Sequence, residues 1–160
     1  MTDRPPPATR YSVFVSHESD VAVARRRARE LAAQQGLSEV RSEALATAVT
    51  ELARNIVVHA RSGELQFSAV GNAPRRGVVV TARDAGPGIE DVEQVMQDGF
   101  STAQGLGLGL PSARRLVDEF EIESEIGTGT TITLRQWTSA MLRDDAVGRA
   151  APPAAGAGSA

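Results

Sequence analysis

The spacing at which apolar residues recur changes along this chain, and that change limits the fold more than any other feature. Over residues 20–35, Val21, Ala24, Ala28 and Leu31 recur every three or four positions, which places them on one face of a helix, and Gly36 supplies a stop. Over residues 38–60 the same period continues. Ser38 can cap the helix, Glu39 sits near its positive end, and Leu45, Val49, Leu52 and Ile56 form the buried stripe. The period then drops to two over residues 64–70 and 77–82, which read as an antiparallel hairpin across the turn-rich GNAPRRG segment. A strand over 11–15 precedes the helices. A short helix over 91–97, a glycine-rich loop over 98–109, a helix over 111–117 and strands over 120–125 and 130–137 follow the hairpin. This order predicts an α+β two-layer sandwich, with helices on one face of a mixed, mostly antiparallel sheet.

A chain of 160 residues that is 41% hydrophobic supplies one core, and the elements above place its domain at residues 11–138. Residues 1–10 carry Pro5, Pro6 and Pro7 and are expected to be flexible; the Ala/Pro/Gly-rich stretch 139–160 is expected to be a disordered tail. The formal charge is −3 and the basic residues are scattered, so a nucleic-acid partner is not expected. The one arginine cluster, Arg25-Arg26-Arg27-x-Arg29, falls on the helix face opposite the apolar stripe and reads as solvated surface, with a docking patch as the alternative. No segment approaches the ~20 apolar residues of a membrane span and no apolar leader opens the sequence, so a cytoplasmic protein without a membrane partner is expected.

Two absences narrow the chemistry. Without cysteine there are no disulfides, thiolate metal sites or thiol nucleophiles. Lysine is absent too, since all 17 basic residues are arginines, which excludes a Walker-A lysine, the lysine of eukaryotic-type kinases and Schiff-base catalysis. Phosphate chemistry in this chain needs a different design.

Three segments suggest one. Glu51 and Asn55 lie four residues apart and project from one helix face, beside Leu52 and Ile56. An amide oxygen, with water and phosphate oxygens, suits octahedral Mg2+, and a neighbouring carboxylate can accept the proton of an attacking hydroxyl. Alone, the pair also fits an ordinary solvent-facing helix. The second segment, Asp84-Ala85-Gly86-Pro87-Gly88-Ile89, ends a strand. Asp84 could accept a hydrogen bond from an exocyclic amine while Gly86 and Gly88 admit a flat ring, and a tight turn is the competing reading. Third, Gly105-Leu106-Gly107-Leu108-Gly109-Leu110 runs into a helix, where backbone N–H groups and the helix N-terminus hold phosphates without lysine; a flexible hinge would look the same. The spacing is not that of a dinucleotide-binding turn.

In their order, ExxxN on a helix, DxGxG after a strand and GxGxG before a helix resemble the GHKL ATPase superfamily of gyrase, Hsp90, histidine kinases and MutL. The resemblance implies a Bergerat-type sandwich with ATP and Mg2+ as ligands. It implies Mg2+ held by Asn55, adenine near Asp84, Gly86, Gly88, Ile89 and Thr130, phosphates at Gly107, Leu108 and Gly109, and a lid containing Thr102 and Gly105. Histidine kinases carry a phosphoacceptor histidine on a dimerising helical segment, and the gyrase, Hsp90 and MutL groups carry transducer domains; neither is expected here.

The stretches DVAVARRRARELAAQQGLS, ATAVTELARNIVVHA, DAGPGI and QDGFSTAQGLGLGLPSARRLVDEFEIESEIGTGTTITLRQW are similar to the anti-sigma regulatory kinase branch, and within it to the RsbT-type serine/threonine kinases of stressosome modules. That similarity implies transfer of the γ-phosphate to a serine or threonine of a STAS-domain scaffold or antagonist, with Glu51 as general base, followed by activation of a PP2C-type phosphatase. Arg54 would reach phosphate or protein substrate, or form a surface salt bridge. The alternative within the branch is an anti-sigma factor that sequesters a sigma factor in a nucleotide-dependent way. His17 and His59 have no phosphoacceptor context, and Arg114 and Arg115 read as helix surface.

Overall fold

In the computed structural model, residues 10–97 and 109–139 are described. The expected flexible N-terminus before Arg10, the tail from residue 140 and the loop positions Thr102, Gly105, Gly107 and Leu108 lie outside the described residues.

Strands β1 (Arg10–Val15), β2 (Gly63–Asn72), β3 (Arg75–Asp84), β4 (Glu119–Glu125) and β5 (Gly129–Trp137) form one sheet in the order β1-β2-β3-β5-β4. Each of the four described pairings is antiparallel, so the expected mostly antiparallel sheet contains no parallel pair among the described residues. Their registers align residues into rows. Val13, Leu65, Ala82, Ile132 and Ile122 share one row, and Tyr11, Phe67, Val80, Leu134 and Phe120 the next on the same face. Between them, on the opposite face, run Ser12, Gln66, Thr81, Thr133 and Glu121. A period of two therefore gives one buried face and one solvated face.

The helices cover the apolar face. Helix α1 (Glu18–Gln35) buries Val21, Ala24, Ala28 and Leu31 and stops at Gly36, whose φ of 88° is open to a residue without Cβ. Helix α2 (Glu39–Asn55) starts at Ser38, whose hydroxyl accepts the Arg41 N–H at 3.1 Å, and buries Leu45, Val49 and Leu52. The arginine cluster between the two helices lies at the surface. Arg25 and Arg29 both pair with Glu43 of α2, Arg27 pairs with Glu30 at 3.2 Å, and the Arg27 guanidinium also stands over the Tyr11 ring.

Two elements differ from expectation. The second helix does not stay α-helical to residue 60: from Ile56 to Ala60 the chain widens into a π-helical turn. Three consecutive β-branched residues, Ile56, Val57 and Val58, crowd the tighter α geometry there. The short helix expected over 91–97 is a single turn, α3 (Val92–Val95), capped by the Asp91 carboxylate accepting the Gln94 N–H at 3.1 Å. Helix α4 (Leu110–Leu116) follows Gly109, with Pro111 in its first turn where a missing N–H costs nothing.

At one end of the sheet a buried polar knot ties α2, α4, β4 and β5 together. Gln136, 2% exposed, accepts the Asp118 N–H at 2.9 Å through its side-chain oxygen and donates to the carbonyls of Arg41 and Leu116, both at 3.3 Å. Arg41 donates to the Trp137 carbonyl at 2.8 Å and pairs with Asp118, whose carboxylate also accepts the Trp137 N–H at 2.8 Å. Gln136→Leu keeps the volume but strips a partner from each of three partly buried backbone groups, so urea unfolding should show a loss of about 2 kcal/mol. A variant as stable as the wild type would show that water replaces the lost partners.

Candidate functional site

The opposite end of the same sheet face ends in a row of small and polar residues. Val15, Gly63, Asp84, Thr130 and Ser124 stand side by side across the five strands. Each shares the inward parity of its strand: Asp84 with Ala82 and Val80, Thr130 with Ile132 and Leu134, Ser124 with Ile122 and Phe120. Helix α2 lies over this face and reaches the row at Asn55. The π-helical turn then adds His59 and Ala60, and residues 87–95 close one side. The cavity, open to one side, measures ≈ 700 Å³, with Asn55, His59, Asp84, Gly88, Ile89 and Thr130 among its walls. That is the size of a pocket for a drug- or nucleotide-sized molecule.

Asn55 is the informative wall residue. It is 5% exposed, and its side-chain oxygen finds no hydrogen-bond partner among the described residues. A buried carbonyl oxygen without a donor is costly unless something else satisfies it. A hard cation or a ligand donor would do so.

Asp84 folds back on its own loop, its carboxylate accepting the Gly86 N–H at 2.8 Å. The glycines of this loop are needed for contacts within the protein. A Cβ on Gly86 would lie 2.7 Å from that of Ala60 in the π-helical turn, and one on Gly88, where φ is +81°, would lie 2.3 Å from the Glu125 carbonyl oxygen. The loop thus slots between the end of α2 and the β4–β5 turn, and the Gly127 N–H donates to the Pro87 carbonyl at 2.9 Å. Ile89 is anchored too, its N–H donating to the Ser124 hydroxyl at 2.7 Å. Ser124 in turn meets the Thr130 hydroxyl at 2.8 Å and the Gly129 carbonyl at 3.2 Å.

Glu51 lies one helical turn before Asn55, against the start of α4. A Cβ on Gly109, whose φ is +74°, would come within 2.1 Å of a Glu51 carboxylate oxygen. Helix α2 therefore brings Glu51 and Asn55 to the same end of the molecule as Asp84, Gly86, Gly88, Ile89, Gly109 and Thr130. Arg54 points elsewhere, meeting Glu18 at 3.5 Å with both side chains largely in solvent. Ser124 and His59 are the site residues that sequence reasoning missed. The signal for Ser124 was available as a hydroxyl at an inward position of an otherwise alternating strand. For His59 the signal was its spacing, four residues after Asn55 and eight after Glu51 on the same helical run.

Burial holds the His59 imidazole below its ordinary value of 6.5, against the opposing pull of the Asp84 carboxylate. The ring is a neutral, polar wall at pH 7.

The chain is similar to several known proteins. The family model for the histidine kinase-like ATPase domain matches residues 14–136. The chain is 42% identical over 125 residues to the serine/threonine-protein kinase RsbT of Bacillus subtilis (strain 168), covering 78% of this chain and 94% of that protein. It is 28% identical over 128 residues to the anti-sigma F factor of Caldanaerobacter subterraneus subsp. tengcongensis, covering 78% and 90% respectively. Among solved structures, the histidine kinase domain from the Erythrobacter litoralis EL346 blue-light activated histidine kinase aligns with a TM-score of 0.46 at 19% identity, covering 74% of this chain and 59% of that one.

The depressed His59 makes a pH prediction. With the folded value below the unfolded value of 6.5, stability from this residue is fully present above pH 6.5 and is lost as pH falls toward the folded value, because the unfolded chain binds the proton first. Urea midpoints measured from about pH 7.5 down to 5.5 should fall, and His59→Gln should flatten that stretch of the curve. Identical slopes in both proteins would remove His59 as the cause.

Proposed function

Because the chain belongs to the histidine kinase-like ATPase family, we propose that it binds ATP with Mg2+ in the cavity at the end of the sheet and acts as a serine/threonine protein kinase in a partner-switching stress pathway. The observation that carries this reading is the buried, unpartnered side-chain oxygen of Asn55, one turn from Glu51. A neutral amide oxygen is the donor that suits a hard cation which keeps most of its shell as water and phosphate oxygens, so the residues present fit Mg2+. When bound, the ion neutralises charge on the triphosphate.

In this reading the base lies on the sheet floor, where Asp84 accepts from an exocyclic amine and Thr130 stands beside it. Gly88, Ile89 and the end of α2 form the apolar and backbone walls, and Gly86 keeps the loop close to the π-helical turn. Gly109 belongs with Gly105, Gly107 and Leu108 at the phosphates, and Thr102 with the lid. Glu51 accepts the proton of the incoming serine or threonine hydroxyl as its oxygen attacks the γ-phosphorus, and ADP leaves. The Arg54–Glu18 pair is exposed and weak, so Arg54 can exchange it for an acidic group on a protein substrate.

The 42% identity to the serine/threonine-protein kinase RsbT supports a STAS-domain scaffold or antagonist as the substrate and a PP2C-type phosphatase as the partner engaged afterwards, in the cytoplasm of a cell with a stressosome. Neither a nucleic acid nor a membrane enters the reading, and no helix of the described residues is long and apolar enough to cross a membrane. The similarity to anti-sigma F factors favours a second reading, nucleotide-dependent binding of a sigma factor. Co-purification with a sigma factor in place of a STAS protein would select it.

Two variants separate binding from transfer. Saturation at about a hundred times Kd stabilises a folded protein by about 2.7 kcal/mol, so ATP-Mg2+ should raise the melting midpoint of the wild type. Glu51→Gln should keep that rise while transfer of labelled phosphate to a STAS-domain protein falls by a factor of about 10²–10⁴; undiminished transfer removes Glu51 as the base. Asn55→Leu relieves a buried unpaired oxygen, so without nucleotide its midpoint should equal or exceed that of the wild type, while the magnesium-dependent rise disappears. A magnesium-dependent rise retained in this variant would place the ion elsewhere.

A further inference from the structure

The Glu51 carboxylate rests on a residue that has no side chain. A Cβ built on Gly109 would lie 2.1 Å from a carboxylate oxygen of Glu51, 2.4 Å from its Cδ and 2.8 Å from its Cγ, so the outer part of the glutamate occupies the volume that a side chain at 109 would fill. Among the described residues no hydrogen bond or ion pair holds this carboxylate. Its place is set by the surface beneath it. That surface is fixed, because the Gly109 carbonyl accepts the Ala113 N–H at 2.7 Å in the first turn of α4, and Leu110 and Ala113 are wholly buried.

All three close atoms belong to a side chain, and this decides what a Cβ would disturb. Backbone anchored in a packed helix yields at high cost, whereas a carboxylate on a flexible stem turns away cheaply. Relieving a contact of 2.1 Å moves that carboxylate by about 1 Å or more. A displacement of that size leaves a fold intact and costs a reacting geometry about 10²-fold.

We propose that Gly109 is a positioning residue for phosphoryl transfer, acting through Glu51: its bare Cα is the seat from which the carboxylate meets the incoming hydroxyl. This rests on the kinase reading given above, in which Glu51 is the base. It gives Gly109 a part in the transfer step besides its place at the phosphates. A phosphate contact at 109 uses the backbone N–H, which alanine keeps, whereas the Cβ direction leads into Glu51. Nucleotide binding and transfer therefore separate at this residue.

Gly36 supplies the control. Its backbone has nearly the same left-handed conformation, φ 88° and ψ 17° against 74° and 0° at Gly109, and a Cβ there meets nothing within 4 Å. Gly36→Ala therefore measures backbone strain alone. It is compared with Gly109→Ala in the full chain by melting midpoint, by Kd for ATP-Mg2+ and by the rate of labelled-phosphate transfer from saturating ATP to a STAS-domain protein. Both variants should lower the midpoint equally, to within about 3 °C, and keep Kd within about threefold of the wild type. Transfer should hold the wild-type rate in Gly36→Ala and fall by about 10²-fold in Gly109→Ala. Wild-type transfer in Gly109→Ala overturns the proposal, and so does a parallel loss of affinity and transfer, which leaves residue 109 a phosphate contact only. A Gly109→Ala chain that fails to fold beside a folded Gly36→Ala overturns it too, because residue 109 is then a structural glycine. Each of these outcomes leaves the kinase reading standing, whereas a wild type that binds ATP and transfers no phosphate removes that reading and this proposal with it.

Discussion

Everything in this molecule depends on the shared register of its antiparallel strands. Four pairings in step put the inward residues of five strands into straight rows, and the rows change character along the sheet. The middle rows are aliphatic and aromatic and drive the packing of α1 and α2. The last row is Asp84, Thr130 and Ser124, and it faces inward only because it keeps the parity of the hydrophobic rows before it. A slip of one residue in β5 would send Thr130 to solvent together with Ile132 and Leu134, so the energy that buries the core also enforces the site.

The two ends of the sheet treat buried polar groups in opposite ways. Around Gln136 and Asp118 the donors and acceptors meet each other, which fixes the helix-to-strand junction after α4. Around Asn55 an oxygen is left without a partner. Buried polar groups are thus satisfied within the protein at one end of the sheet and left open at the other. The contrast sets the Asn55 oxygen apart, since the side chains at the other end show that this fold can satisfy such groups.

Most of the architecture was legible in the sequence because it follows from period and punctuation. Val21 to Leu31 and Leu45 to Ile56 announce helices, and alternation announces the strands. What could not be read needed a third dimension or a local exception. The π-helical turn over Ile56 to Ala60 is such an exception, because apolar period alone does not announce a widened turn. For Arg54 the sequence left a site contact and a surface salt bridge open, and the structure shows the salt bridge, to Glu18. The glycines of the DAGPG loop were legible as points of close approach, but their neighbours in the structure are Ala60 and Glu125. Ser124 was legible as an inward hydroxyl of β4, but its place opposite Thr130 needed the strand pairing.

The contact between Gly109 and Glu51 has a consequence for substitution. Position 109 is constrained twice, by a left-handed backbone and by a carboxylate that fills the space a side chain would need. The first constraint admits asparagine as well as glycine; the second does not while residue 51 remains glutamate. A shorter residue at 51 would lift the second constraint and leave the first. The two positions are therefore coupled: a side chain at 109 requires a truncated or displaced residue at 51.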